Sequence, residues 1–228
     1  MMGKVIMSGI VPQLVAPVTG IQLGTIAEGS IVKLNESGSP VEFYVAKHDY
    51  ESALNGTGRT LLVRKDCYNL RGWHTSNVNA YASSAINSWL NGDYKGLLDT
   101  DVQNVIGTTK FYYTPGDGEK TVRTLTRSIF LLSVTELGKS YAYANTEGSA
   151  LPIASTLQVA YFNGSADYQW TRSPSTNKTH SVCYLNNTGA AGSIDWNCTY
   201  GYGSRPAFTL PGNALFNKKT MLFSGKIA

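Results

Sequence analysis

The chain has 228 residues, of which 42% are apolar and 15% are charged, and its formal net charge is +4. Its Lys and Arg residues are scattered without a basic stripe, which argues against a nucleic-acid-binding protein. No apolar run approaches the roughly 20 residues of a membrane-spanning helix, so no membrane insertion is expected. The low charged fraction favours an all-β or loop-rich fold.

Residues 1–25 are apolar and interrupted by Gly and Pro. They are predicted to form an N-terminal arm that docks on a partner subunit or a larger assembly, and a frayed terminus is the alternative. The segment lacks the apolar core of a signal peptide, so the protein is expected to stay in the cytoplasm until another event releases it. A single domain is predicted over residues 26–213, followed by a C-terminal tail over 214–228.

The first half of the domain begins with strands. Residues 31–34 and 41–46 are rich in β-formers and flank a Gly-containing turn, which predicts a hairpin, and residues 60–64 predict a third strand. Apolar residues then recur at spacings of three and four over 79–90 and again over 94–106, which predicts two helices. Asn91-Gly92 is predicted to end the first of them.

Residues 110–126 predict a loop or hairpin with its tip at 115–118, and residues 128–132 predict a buried strand. Ser133 follows, with Glu136 three residues later. This spacing is typical of a capping box at the start of a short helix.

The chain is organised around residues 170–210. Trp170-Thr171-Arg172-Ser173-Pro174 and residues 203–210 are predicted to be buried strands, each with one Arg and one Pro. Between them, 19 of the 30 residues from 175 to 204, here called the polar segment, are Ser, Thr, Asn, Tyr or Gly. This composition is typical of antibody paratopes and predicts a recognition surface.

Residue patterns of known catalytic and metal sites are missing. Residues 116–121 lack the spacing of a phosphate-binding loop and are predicted to be a surface turn. The three His residues show no metal-ligand spacing, and three Cys residues make neither a disulfide framework nor a zinc site. Three reduced thiols are expected, although pairing of Cys183 with Cys198 stays open. No catalytic residue, metal or cofactor is predicted.

Four motifs in order carry a resemblance to a known family. They are Tyr81-Ala82-Ser83-Ser84 with Trp89-Leu90-Asn91, Phe130-Leu131-Leu132-Ser133, Trp170-Thr171-Arg172-Ser173-Pro174 and Gly203-Ser204-Arg205-Pro206-Ala207-Phe208. Over roughly Gly29 to Leu210 the chain resembles the DUF6273 family, which is common in gut Firmicutes and their prophages. The resemblance implies an α+β, C-type-lectin-like fold with short antiparallel strands, two helices and long loops.

The resemblance extends to the variable proteins of diversity-generating retroelements, whose C-terminal segments are hypermutated at adenines. It implies a variable, ligand-binding face at Thr176, Asn177, Thr179, His180, Ser181, Val182, Tyr184, Asn186, Asn187, Ser193, Asp195, Asn197, Thr199, Tyr200 and Tyr202. The calcium motif of sugar-binding C-type lectins is absent, so no metal site is carried over. A paired-cysteine active site is also absent, so no catalysis is carried over.

The sequence therefore predicts a binding protein rather than an enzyme. We expect a prophage tail or fibre protein, located in the virion or in the bacterial cytoplasm before lysis, that binds a protein or glycan receptor on a bacterial surface. Trp170 and Arg205 are expected to be scaffold. By the same resemblance the arm suggests a homo-oligomer, such as a trimer. A non-diversified surface or structural module is the alternative, and a deep polar pocket with perturbed carboxylates would instead favour an enzyme.

Overall fold

A computed structural model describes residues 20–228. Residues 1–19 of the predicted arm lie outside the described part. The described chain is a mixed α+β domain in which nearly all strand pairs are antiparallel and the helices are short. This confirms the predicted α+β class.

The first sheet has five strands in the order β2-β3-β4-β15-β8. They are β2 (Ile31–Glu36), β3 (Ser39–His48), β4 (Arg59–Arg64), β15 (Ala207–Pro211) and β8 (Ile129–Phe130). Strands β2 and β3 form the predicted hairpin, and β4 is the predicted third strand. Alternate residues of β2 are buried, as expected for a strand that covers a core on one face.

The second sheet also has five strands, in the order β13-β12-β11-β14-β5. They are β13 (Ala191–Gly192), β12 (Val182–Leu185), β11 (Gln169–Pro174), β14 (Tyr202–Ser204) and β5 (Asn69–Arg71). Strands β11 and β14 are parallel neighbours, and every residue of β11 is buried. The first predicted flanking strand is therefore present as β11, at the centre of this sheet. The second, predicted over 203–210, is divided at Arg205-Pro206 into β14 of this sheet and β15 of the first sheet.

Smaller sheets complete the strands. Strands β6 (Thr109–Tyr113) and β7 (Arg123–Arg127) form the predicted hairpin, and β9 (Ala160–Phe162) pairs with β10 (Ser165–Asp167). Strand β16 (Ala214–Phe216) lies between β1 (Ile21–Gln22) and β17 (Phe223–Ile227). This last sheet joins the end of the predicted arm to the predicted C-terminal tail.

The two predicted helices are broken into short pieces. The segments are α1 (Ser52–Asn55), α2 (Ala85–Trp89), a π-helical turn (Leu90–Tyr94), α3 (Lys95–Leu97), α4 (Thr100–Val105) and α5 (Ala154–Leu157), with 3-10 turns at Leu23–Thr25, Tyr81–Ser83 and Asn197–Thr199. Asn91 does not end the first helix, because a π-helical turn continues through it into α3. Its side chain donates to the Ile129 carbonyl oxygen (2.9 Å) and accepts from the Ser128 amide (3.1 Å), which fastens this turn to β8. Within residues 20–228 no helix has the length and apolar character needed to cross a membrane.

One hydrophobic cluster unites these elements. It includes Phe43 and Phe208 of the first sheet, Trp170 of the second, Ile86 of α2 and Phe216 of the terminal sheet. The Nε1 of Trp170 donates to the Arg71 carbonyl oxygen at 2.8 Å, so the indole keeps a hydrogen bond although it is buried. Trp170 is therefore a core residue, as predicted.

Candidate functional site

Two buried arginines hold the strands that flank the polar segment. Arg205 follows β14 and donates to the carbonyl oxygens of Arg64 (2.9 Å), Lys65 (2.7 Å) and Leu157 (2.8 Å). These are the carbonyl contacts expected of a scaffold arginine, so that prediction is confirmed. Burial lowers the pKa of the Arg205 guanidinium.

Arg172 is fully buried beside two buried carboxylates. Its Nη1 donates to Glu136 Oε2 at 2.6 Å, and its Nε lies 4.0 Å from Glu147 Oε2. Burial acts to lower the pKa of Arg172, but attraction to Glu136 offsets this effect, so the pKa lies above its ordinary value. The guanidinium also covers the ring of Phe111 at 4.7 Å from its centroid. Arg172 is therefore a scaffold residue.

Glu136 reaches Arg172 through the predicted capping box. The Ser133 amide donates to Glu136 Oε2 (2.9 Å) and the Glu136 amide donates to Ser133 Oγ (3.0 Å), so the box is confirmed. The predicted helix is wrong, because the chain makes only a turn that ends at Gly138, where φ is +70°. The capping box here positions the Glu136 carboxylate, whose Oε1 accepts a hydrogen bond from Tyr50 Oη.

Glu147 connects this buried network to the start of the polar segment. Its Oε1 accepts from the Thr114 amide (2.6 Å) and its Oε2 accepts from Ser173 Oγ (2.7 Å). Burial raises the pKa of Glu147, while Arg172 and these donors act to lower it. Both carboxylate oxygens are occupied inside the protein, so Glu147 has a structural role.

Asn79, also fully buried, fastens the polar segment to the hairpin between β6 and β7. Its Nδ2 lies within hydrogen-bond distance of the carbonyl oxygens of Ser175 (3.1 Å), Lys178 (2.8 Å) and Ser181 (2.8 Å). Its Oδ1 accepts from the Asp117 amide (2.7 Å). Gly116 has φ +83°, and a Cβ there would collide with the Asn79 carbonyl oxygen, so this close approach requires glycine.

A cavity of about 330 Å³ lies between the two segments that Asn79 joins. One wall is the hairpin tip, residues 114–120, which forms the predicted surface turn, and the other wall is residues 174–179. The wall residues from the predicted face are Thr176, Asn177 and Thr179.

Most of the predicted face reaches solvent. Twelve of its fifteen residues are exposed or half-buried: Thr176, Asn177, Thr179, His180, Tyr184, Asn186, Asn187, Ser193, Asp195, Thr199, Tyr200 and Tyr202. Ser181, Val182 and Asn197 are buried. Asn197 donates to the Val182 carbonyl oxygen and accepts from the Val182 amide, both at 2.8 Å, because it replaces a strand partner for β12. These three side chains are not available to a ligand.

The tyrosines of the segment form one cluster on the second sheet. Tyr184 of β12 and Tyr202 of β14 have ring centroids 5.2 Å apart, and Tyr168 lies 5.3 Å and 4.9 Å from them. Tyr200 contacts Tyr202 and is 43% exposed. Burial and the neighbouring tyrosines raise the pKa of Tyr202 to about 12, so its hydroxyl stays protonated at neutral pH.

Trp196 makes a second aromatic feature. It is 58% exposed and has the left-handed backbone conformation, with φ 58°. Its indole stacks on the His180 ring at 4.1 Å and 11°. Asp195 accepts hydrogen bonds from Lys178 and from His180 Nε2, the latter at 3.3 Å. The hydrogen bond from Lys178 is the largest cause of the lowered pKa of Asp195, and the bond from His180 acts in the same direction.

The comparison with protein families bears directly on this arrangement. A family described as a domain of unknown function, DUF6273, matches residues 57–212, which is more than half of the chain. The chain belongs to the DUF6273 family. The matched part begins at residue 57 rather than near Gly29, and it contains Asn79, Arg172 and the whole polar segment. No curated protein and no solved structure matches the chain.

Two further aromatic residues of the DUF6273 domain, Tyr141 and Tyr143, lie beside the polar segment and were not predicted from the sequence. Tyr141 Oη accepts from the Ser193 amide at 3.1 Å, and Tyr143, 43% exposed, lies edge-on to Tyr141. The Tyr143 carbonyl oxygen accepts from the Thr176 amide at 2.9 Å. The pair Tyr141 and Tyr143 in a polar stretch is recognisable in the sequence. Because it lies far from the polar segment along the chain, the sequence does not indicate that the two are in contact.

The cysteines and His48 have structural roles. Cys67, Cys183 and Cys198 are buried free thiols, and burial raises the pKa of Cys67 to about 11. His48 is bonded to Thr60 and to the Ile26 carbonyl oxygen at the end of β3. Among residues 20–228, no three His, Cys, Asp or Glu side chains lie close enough to hold a metal ion.

Proposed function

We propose that this DUF6273 protein is a receptor-binding protein, and that it contacts its partner through the exposed residues of the polar segment together with Tyr143. One observation carries the proposal: Tyr143, Trp196 and Tyr200 are exposed amid hydroxyl and amide side chains. Large aromatic side chains supply rigid contact area at low entropic cost, and they dominate the energetics of interfaces.

The rigid support beneath these residues favours contact over catalysis. Arg172, Glu136, Glu147 and Asn79 are buried, and they hold β11 and the walls of the cavity. The most deeply buried carboxyl with a raised pKa, that of Glu147, is bonded to protein groups on both oxygens. It is therefore not placed to exchange protons with a substrate, as an enzyme would need.

We further propose a C-type-lectin-like fold and a role in a phage tail or fibre that binds a bacterial surface. Short antiparallel strands and a long polar segment presented between β11 and β14 support the fold proposal. The phage setting rests on the resemblance of the motifs.

Diversification of the polar segment by a retroelement is part of the same proposal. The burial of each residue indicates which of the fifteen positions can vary. Codons for the twelve accessible positions are expected to vary among related prophages, whereas those for Ser181, Val182 and Asn197 are expected to stay fixed, because these residues pack inside. Sequencing the gene from related prophages measures this. Invariance at the twelve positions would remove the proposal, as would equal variation at the three buried ones.

Binding to cells tests the main proposal. Fluorescently labelled protein is mixed with a panel of Firmicute strains, and bound fluorescence is measured by flow cytometry. Tyr200→Ala is expected to weaken binding about tenfold or more, because truncating an interface hot spot costs about 2 kcal/mol.

A matched control is available in Tyr161, which is 46% exposed but lies on β9, outside the polar segment. Tyr161→Ala is expected to leave binding unchanged. Equal loss in both variants, or no binding of the wild-type protein to any strain, contradicts the proposal.

A further inference from the structure

The cavity between the hairpin tip and residues 174–179 is built rather than incidental. Asn79 bonds to both walls, while Glu147 holds the amide of Thr114, which lines the cavity. Asn145 Nδ2 bonds to the Lys120 carbonyl oxygen at 2.5 Å, which fixes the hairpin tip from another side. Buried polar groups that hold cavity walls in place lower the entropic cost of binding a ligand.

The lining of the cavity indicates a ligand with many hydroxyl groups. Five of its eleven lining residues carry a hydroxyl or a carboxamide, and Pro174 supplies the one hydrocarbon ring. Ser175 Oγ donates to Asn177 Oδ1 at 2.6 Å, which leaves the Asn177 amide nitrogen free to donate outward. An apolar ligand would leave these polar groups without partners and would bind poorly.

The charges around the cavity largely offset one another. Lys178 bonds to Asp195, and Glu119 accepts from Arg123 Nη2 at 2.8 Å. Lys120 lies on the same exposed turn as the oppositely charged Asp117. A strongly charged ligand would therefore gain little electrostatic attraction from the cavity, and a neutral ligand is favoured.

Trp196 adds an aromatic platform next to this wall. His180, on which it stacks, follows Thr179 of the cavity wall, and Asp195 beside it bonds to Lys178 of the same wall. A bulky residue in the left-handed conformation costs about 1–2 kcal/mol, and strain of this kind concentrates at functional sites. The carbon-bound hydrogens of a sugar ring pack on an aromatic face, while its hydroxyls bond to polar groups at the edge.

We propose that the cavity and Trp196 together bind a neutral saccharide without a metal ion. This inference rests on the proposed receptor-binding function and names the chemical class of the receptor. The ring would lie on the indole, with its hydroxyls bonded to Thr176, Asn177 and Thr179. The volume of about 330 Å³ falls within the usual range of small-ligand sites, about 300–1,000 Å³.

Titration of ¹⁵N-labelled protein tests the proposal, with glucose and N-acetylglucosamine as neutral probes and glucuronate and glucose 6-phosphate as anionic probes. A neutral sugar is expected to shift the Trp196 indole signal and the amide signals of Asn177 and Thr179. Thr179→Val should weaken this binding about fivefold, the effect of losing one hydrogen bond. Thr156→Val, at an exposed threonine of α5 outside the polar segment, should leave it unchanged.

Shifts with the anionic probes alone, no shift with any probe, or equal weakening by both threonine variants would overturn the saccharide site. Cell binding separates this proposal from the broader one. If Tyr200→Ala abolishes cell binding while no sugar shifts these signals, receptor binding stands and the saccharide site fails. If neutral sugars bind but no strain is bound, the saccharide site stands and the proposed function fails.

Discussion

Arg172→Met is expected to destabilise the protein by about 3–5 kcal/mol, the usual cost of leaving a buried charge without its partner. The substitution keeps most of the side-chain volume but leaves Glu136 and Glu147 buried without their shared cation. It also removes the donors to the carbonyl oxygens of Tyr112 and Leu131, both at 2.9 Å. The free energy of unfolding, from urea denaturation followed by tryptophan fluorescence, measures the effect.

Arg123→Met is the matched control, because Arg123 makes an ion pair with Glu119 at 2.8 Å in which both side chains are largely exposed. Surface pairs of this kind contribute about 0–1 kcal/mol, so this variant should unfold close to the wild-type midpoint. A similar loss of stability in the two variants would show that the buried ion pairs of Arg172 contribute no more to the free energy of unfolding than an exposed pair.

The stability deficit of Arg172→Met, which is its loss of unfolding free energy relative to wild type, should depend on pH. Burial already raises the pKa of Glu147, and Arg172 is among the groups that lower it, so removing Arg172 raises that pKa further. A carboxyl whose folded pKa exceeds its unfolded pKa contributes stability that is fully present below the unfolded value and is lost as pH rises through the folded value. The deficit relative to wild type should therefore be largest at neutral pH and should shrink towards pH 4, below the unfolded Glu pKa of about 4.3.

Local patterns predicted the parts of the fold that depend on neighbouring residues. The β2–β3 hairpin, the β6–β7 hairpin and the capping box of Ser133 and Glu136 are signalled within a few residues of the chain. Each is fixed by turn chemistry or by side-chain spacing, which a single sequence displays. Trp170 and Arg205 were also predicted to be scaffold, and both are buried with N–H groups bonded to carbonyl oxygens.

Contacts between distant segments could not be predicted in the same way. Asn79 bonds to carbonyl groups 96 to 102 residues away, and nothing near it in the sequence indicates those partners. Helical periodicity predicted two regular helices over 79–90 and 94–106, but helical turns run from Ala85 to Leu97, with a π-helical turn where Asn91 bonds to β8, and the chain is extended at Leu98. The polar segment was recognised by composition, yet composition did not separate exposed Tyr200 from buried Asn197. Side-chain bonds to backbone atoms of other elements decide these features.

Asn79→Ala should lower the free energy of unfolding by about 2–4 kcal/mol, because several buried polar groups lose their partner at once. The Asp117 amide loses its acceptor, and the carbonyl oxygens of Ser175 and Lys178 lose the Asn79 donor, whereas that of Ser181 keeps the Ser175 amide as a donor. Asn187→Ala, at an exposed position of the polar segment, should stay within about 0.5 kcal/mol of wild type. Thermal and urea unfolding measure both variants.

Asn79→Asp separates the two roles of this side chain. The aspartate keeps an acceptor for the Asp117 amide but sets a charged oxygen against three carbonyl oxygens that lie 2.8–3.1 Å from the present Nδ2. At neutral pH it should therefore be less stable than Asn79→Ala, because the alanine leaves partners unpaired without repelling them. Below the unfolded Asp pKa of about 3.9 the carboxyl is protonated and can donate, so the order should reverse as pH falls. An aspartate variant as stable as wild type at neutral pH would mean that Asn79 does not hold the cavity walls together.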